Sequence, residues 1–307
     1  MAGTPLWAWA AVVAVALTLI AVDLLLHRDP KAVSMREAGL LSAGYLAVGL
    51  GFGAVLWAAR GPEDGGEYYA GYLIEKALSL DNVFVFALIL GAFAIPAELQ
   101  HRVLMWGVIG ALAFRAVFIA VGAVALDRFD VVAYALGALL VWTGVAMARG
   151  HEPRIDPSRS RALRVMGRFI PFTDGLRGSR FTVREAGRRM ATPLLAALVA
   201  IETADIVFAL DSVPAIFAIT TDPFIVFTAN VFAILGLRAL YFLLAGAIPR
   251  FRYLKAGLAT LLVLVGVKML LTDVGKLPVW ISLGAVVLVL AVSIGASLVA
   301  ERRARAA

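Results

Sequence analysis

The sequence predicts an all-α, polytopic membrane protein of about nine transmembrane helices. Its apolar residues form long uninterrupted runs, apolar types make up 62% of the chain, and Lys and Arg gather in alternate loops. The mean hydropathy is +0.91. A bilayer core needs about 20 apolar residues per helix. Runs of that kind fall at roughly 5–26, 38–59, 68–94, 101–125, 129–148, 192–219, 223–247, 251–271 and 278–300. In hydrocarbon every backbone N–H and C=O must be satisfied internally, so each run reads as a helix. None alternates in the manner of a membrane β-strand.

The first run reads as a retained helix rather than a cleaved leader. No basic residue precedes it, and Arg28, Lys31 and Arg36 follow it. The chain has no Cys, which closes disulfide, zinc-thiolate and iron–sulfur chemistry to its side chains. Loops 27–37, 95–102, 149–191 and 248–255, with the tail from 301, hold 21 of the 28 Lys and Arg; the opposite loops hold only Arg60, Arg128 and Lys276. By the positive-inside rule the N-terminus lies outside and the C-terminus in the cytoplasm of a cell (inner) membrane. The +7 net charge is then a consequence of topology, not a nucleic-acid footprint, and the basic loops face anionic lipid.

Residues 1–67 hold two N-terminal helices. Residues 68–148 form a first three-helix repeat, 149–191 a basic linker, 192–271 a second repeat, and 272–307 a last helix and basic tail. The linker contains a possible small hairpin around Glu185-Ala-Gly187. The repeats align Glu75 with Asp205, Asp81 with Asp211, Asn82 with Ser212 and Arg115 with Arg238. Phe129 and Phe251 follow the two arginines, and Gly144 and Gly266 come next. An odd number of helices per repeat inverts the second copy, a recurring transporter design.

Five acids lie in two of the apolar runs, Glu75 and Asp81 in 68–94 and Glu202, Asp205 and Asp211 in 192–219. Facing lipid they would cost on the order of 12–18 kcal/mol to insert, so they face an interior with cations, protons or water. Glu75 and Asn82, seven apart, share a helix face, as do Asp205 and Ser212, and Glu202 and Asp205. Asp81 and Asp211 are each turned about 120° from the earlier acid of their repeat. Pro214 is expected to kink or unwind the helix at Asp211 and free the Leu210 carbonyl. Arg115 and Arg238 are read as charge partners of buried acids. Asp23 and Asn230 are possible additional ligands. His27, His101 and His151 are placed in loops. An oxygen-only donor set suits hard divalent cations such as Mn2+, Mg2+ and Ca2+. No nucleophile–His pair and no G-x-x-x-x-G-K-[ST] motif is present, so no enzyme is expected.

Four stretches carry a family resemblance: Glu75-Lys-Ala-Leu-Ser-Leu-Asp81-Asn82-Val-Phe-Val-Phe, Gln100-His-Arg-Val-Leu-Met-Trp-Gly107, Ile201-Glu-Thr-Ala-Asp205 continuing through Asp211-Ser-Val-Pro to Thr220, and Asp222-Pro-Phe through Asn230 to Arg238. Together they resemble the TerC family, and within it the Alx-like members. The resemblance implies a bacterial inner-membrane protein related to the LysE-type exporters, with a role in manganese homeostasis by efflux. Its acidic motif positions fall on Glu75, Asp81, Asn82, Glu202, Asp205, Asp211 and Ser212. Ala204 departs from the Thr expected of the motif. The expectation is a transporter that exchanges a divalent cation, foremost Mn2+, for protons, with no permanently bound cofactor. The alternative is an accessory protein that hands metal to secreted enzymes at the translocation machinery or supports tellurium and metal stress resistance. Partners in either case are the cation, the proton, anionic lipid and either further copies of the chain or the translocon.

A reporter fused within 149–191 is expected to read cytoplasmic and one at the N-terminus external. A periplasmic signal from the first fusion overturns the topology and the inversion of the repeats with it.

Overall fold

The computed structural model describes residues 4–26, 33–150, 161–185, 187–244, 253–271 and 278–306. Of the residues invoked above, His27, Arg28, Lys31, Arg250, Phe251, Arg252, Lys276 and the stretch 151–160 with His151 lie outside them. The described residues form α1 (Leu6–Leu26), α2 (Met35–Arg60), α3 (Pro62–Ala92), α4 (Ala97–Arg128), α5 (Asp130–Ala148), α6 (Arg161–Phe169), β1 (Thr182–Glu185), β2 (Arg188–Ala191), α7 (Pro193–Phe217), α8 (Pro223–Leu235), α9 (Leu237–Leu244), α10 (Leu254–Leu270) and α11 (Val279–Ala306).

Each long apolar run is helical over its described residues, the run 223–247 as two helices, and the chain is an all-α polytopic membrane protein. Among the described residues six helices are long and apolar enough to cross a bilayer: α1, α2, α4, α5, α7 and α11. A seventh span results if α8 and α9, which meet at 40°, cross together. Two helices of the expected nine fall short of that measure. Glu75, Lys76 and Asp81 interrupt the apolar middle of α3, and α10 is 17 residues long.

Helix boundaries follow local chemistry. Ser34 caps α2 by accepting from the Glu37 N–H at 3.2 Å. Asp222 caps α8 by accepting from the Phe224 N–H at 2.8 Å, and Pro223 fills the first turn, where its missing N–H costs nothing. The linker is more ordered than a plain topology anchor. It folds into the short amphipathic α6 and a hairpin in which Thr182 faces Ala191 and Glu185 faces Arg188.

Two local expectations are corrected. α7 runs unbroken through Asp211 and Pro214 to Phe217. Pro214 removes only the one ladder bond that an N–H there would donate to the Leu210 carbonyl, and the ladder resumes beyond it, with the Ala218 N–H on the Pro214 carbonyl at 2.9 Å. The break occurs instead at Gly236, inside the run 223–247. There the Lys76 ammonium of α3 donates to the Ala233 carbonyl at 2.7 Å. A side chain from outside satisfies the backbone that the bend exposes.

α3 is the central helix, packed against α2, α7, α8 and α11, while α4 packs on α7 and α8. α5 lies antiparallel along α10 at close range. A Cβ at Gly144 would stand 2.7 Å from the Ala259 carbonyl oxygen, and one at Gly266 would stand 2.8 Å from that of Gly137. Small residues are what let two membrane helices approach to backbone contact. Gly144→Leu is therefore expected to force α5 from α10, with a loss of about 1–3 kcal/mol or more from overpacking. Gly44→Leu, with no atom near its Cβ, is expected to be tolerated. Thermal unfolding of the two purified variants, each against the parent, measures the contrast.

Candidate functional site

The buried centre of the molecule is a shared ion pair. Arg115 of α4 is 1% exposed and Glu75 of α3 and Asp205 of α7 are equally enclosed. Arg115 Nη1 donates to Glu75 Oε1 and, at 2.8 Å, to Ser212 Oγ. Its Nε and Nη2 donate to Asp205 Oδ2 and Oδ1 at 3.3 and 3.2 Å. The planar fork of a guanidinium suits this bidentate grip on one carboxylate and leaves a donor for the second. The acids brought to one guanidinium are the two that the repeat alignment makes equivalent, one from each half. Asn82 is also buried, as the seven-residue spacing from Glu75 requires.

The remaining predicted residues stand around this centre. Asp81 and Asp211, turned from the buried face, are half-buried. Asp211 Oδ1 accepts from Thr143 Oγ1 of α5 at 3.0 Å. Glu202 is half-buried against Gly110 of α4, where a Cβ would lie 2.0 Å from its Oε1. The glycine is thus the space that the carboxylate occupies. Asn230 of α8 is fully buried. Among the described residues Glu75 Oε2, Glu202 Oε2, Ser79 Oγ, Tyr72 Oη and both polar atoms of Asn230 are buried without a hydrogen-bond partner. Buried polar atoms are ordinarily paired, so these groups on α3, α7 and α8 mark where the interior has unused hydrogen-bonding capacity.

Among the described residues no three acids or histidines converge closely enough to hold one metal ion. The five acids are thus distributed: Glu75 and Asp205 on Arg115, Asp211 on Thr143, Glu202 against Gly110, and Asp81 on the half-buried side of α3. His101 lies inside α4, not in a loop, and bonds through Nδ1 to the Glu98 carbonyl at 3.0 Å. Its site is the first turns of a helix, where a carbonyl of the preceding turn is in reach.

Arg238, the expected counterpart of Arg115, does not reach the central acids. It forms a buried ion pair with Asp23 of α1, 215 residues away in sequence. Asp23 is therefore an enclosed partner of Arg238. The bend at Gly236 sits between α8 and the helix that carries Arg238, which accounts for the different aim of the two arginines. Lys76, which the sequence sets beside Glu75 as a candidate interfacial pair, reaches the Ala233 carbonyl instead, and Thr143 and Gly110 are the contributors that sequence reasoning passed over. The only signals of these two were a hydroxyl inside an apolar helix and a glycine at a helix interface.

Six or seven apolar spans among the described residues, around buried ion pairs, define a multi-pass membrane protein. The chain belongs to the TerC family: residues 60–305 match the family described as integral membrane protein TerC. It is 48% identical over 297 residues to an uncharacterized membrane protein of Myxococcus xanthus, covering 96% of this chain and 93% of the relative. It is 43% identical over 294 residues to the Alx protein of Escherichia coli (strain K12), whose name includes the words membrane-bound redox modulator, covering 92% and 91% of the two chains. A membrane protein of Rickettsia bellii is 38% identical over 292 residues. No solved structure matches the chain.

Arg115→Ala leaves two carboxylates buried without their cation, a change that costs roughly 3–5 kcal/mol. The expected outcome is less folded protein in the membrane and a lower thermal midpoint. Adding Glu75→Gln and Asp205→Asn to Arg115→Met is expected to recover folded protein. If Arg115→Ala keeps parental stability and only transport is lost, the residue is a ligand or gate and not a structural partner.

Proposed function

We propose that this protein moves a divalent cation across the membrane, with Mn2+ the foremost substrate, and that protons exchange for it on the carboxylates of α3 and α7. One observation carries the reading. Five acids within the apolar stretches of these two helices gather about one guanidinium: Arg115 holds Glu75 and Asp205, and Asp81, Asp211 and Glu202 stand half-buried beside them. These half-buried carboxylates are places where protons or a passing cation can be held in turn. A lasting negative excess in hydrocarbon is too costly to be ornamental. The donors are oxygens of carboxylate, amide and hydroxyl groups, which suit a hard ion.

In this reading Glu75 and Asp205 form the paired base of the path, and Asp81, Asp211 and Glu202 take the ion in turn. Asn82, Ser212 and Asn230 complete its oxygen shell. The half-buried acids suit a transit site, which must bind a cation strongly enough to strip some of its water and weakly enough to release it. Packing supports two inverted repeats. If Gly144 and Gly266 are equivalent, Gly137 and Ala259 are equivalent too. The contact of Gly137 with Gly266 and that of Gly144 with Ala259 are then one contact repeated by a two-fold axis. The relatives' name favours a second reading, redox control. Since this chain has no Cys, thiol exchange by its own side chains is not the means, and a metal-dependent effect fits better.

Asp81→Asn and Asp211→Asn are expected each to abolish Mn2+ movement and leave folded protein in the membrane. Asn keeps the shape and one oxygen acceptor but removes the charge and the proton-carrying capacity. Losses in the two variants are expected to be similar in size and far from additive. The measurement is Mn2+ uptake into inverted vesicles under a set pH gradient, beside other divalents, with protein amounts checked by blot. Near-normal uptake in both variants removes these acids from the path. Absence of uptake by the parent protein, under conditions in which it is folded, favours the accessory reading.

A further inference from the structure

The segment 161–191 carries a surface that the transport reading does not use. It holds eight arginines against two acids, Asp174 and Glu185. Glu185 is engaged by Arg177 at 2.6 Å. Within it α6 is sharply two-sided. Arg164 and Arg168, four apart, are exposed on one face. Leu163 is buried and Met166 half-buried, and they hold the helix against the body of the protein. Between these faces lies a third strip, Val165 and Phe169, also four apart, 50% and 81% exposed. Phe172 extends it beyond the helix end at 37% exposed.

An apolar strip flanked by arginines is the pattern of a helix lying in the plane of a bilayer surface. The placement of α6 supports that occupant over a soluble partner. α6 packs on α7, one of the helices apolar enough to cross the membrane. Its exposed strip therefore lies near a membrane-crossing helix, within reach of headgroups and the first acyl carbons. The guanidinium groups match phosphate oxygens in charge and in fork geometry.

We infer that α6 is an interfacial helix that docks this segment on anionic phospholipid, with Val165, Phe169 and Phe172 in the acyl boundary and Arg164 and Arg168 on the phosphates. The inference is independent of the transported ion and of which side the segment faces. Docking holds the hairpin near the first turns of α7, which leads to Glu202 and Asp205.

The absence of Cys makes the test direct. Val165→Cys in the full chain takes a single nitroxide label, and Arg184→Cys on the exposed hairpin serves as the control. Each is reconstituted in nanodiscs of phosphatidylcholine, with and without phosphatidylglycerol. The Val165 label is expected to be relaxed by oxygen more than by a water-soluble nickel chelate in the anionic discs, and the control label the reverse. Replacing Arg164 or Arg168 by Gln is expected to lower the docked-to-free ratio of the label about fivefold each at low salt, from about 1 kcal/mol per basic residue at an anionic surface. A label that reads aqueous in anionic discs overturns the inference. So does a label equally shielded with and without phosphatidylglycerol, which would place the strip against protein rather than lipid headgroups.

Discussion

The sharing of one guanidinium by two carboxylates at the centre of the bundle is the constraint on which the rest depends. Water cannot screen Arg115, so Glu75 and Asp205 must approach it with good geometry or the buried charges would outweigh the packing that surrounds them. That requirement brings α3, α4 and α7 to one point. Ser212 adds an oxygen to the same guanidinium, which further ties α7 to α4. The apolar layers around it, such as Ile201 and Val108 on one side and Ile216 and Val226 on the other, seal the site but do not select its partners.

The second ionised contact has a different character. Asp23 and Arg238 tie α1, which otherwise has few neighbours, to the far side of the bend at Gly236. Lys76 holds the same bend from within by its hydrogen bond to Ala233. A broken helix braced by a lysine from the central helix places a discontinuity beside the acids without unwinding the helix that carries them. At the other end of the bundle Arg60 pairs with Asp64 at 2.6 Å and with Asp222 at 2.5 Å, so α2, α3 and α8 are fastened at their termini as well.

Membership of the TerC family and the geometry bear on different questions. The family match covers the helices that hold every central acid, and the relatives extend over nearly the whole chain. The geometry separates those acids into kinds. Glu75 and Asp205 are fully enclosed and paired. Asp81, Asp211 and Glu202 are half-buried, and Glu202 is fitted to a glycine. Residues that look alike as a motif thus differ in how much water and how much positive charge they meet, and those two quantities govern whether a carboxylate binds an ion or merely balances an arginine.

The sequence by itself determined that this chain crosses a membrane as helices, because hydrocarbon leaves the backbone no other partners. It also determined which charges are buried and which share a face: the spacing of Glu75 from Asn82, and of Asp205 from Ser212, is a property of the α-helix alone. It even marked the hairpin at Gly187. Only the tertiary structure decided which cation meets which acid. Arg115 and Arg238 look equivalent along the chain, yet one joins two halves of the molecule and the other joins Asp23, because pairing depends on how helices far apart in sequence are laid side by side. The continuity of α7 at Pro214 and the break at Gly236 were likewise decided in three dimensions. Pro214 costs α7 one ladder bond close to its end at Phe217 and leaves only a short stretch beyond to redirect, whereas the bend at Gly236 is braced by Lys76, which satisfies the Ala233 carbonyl.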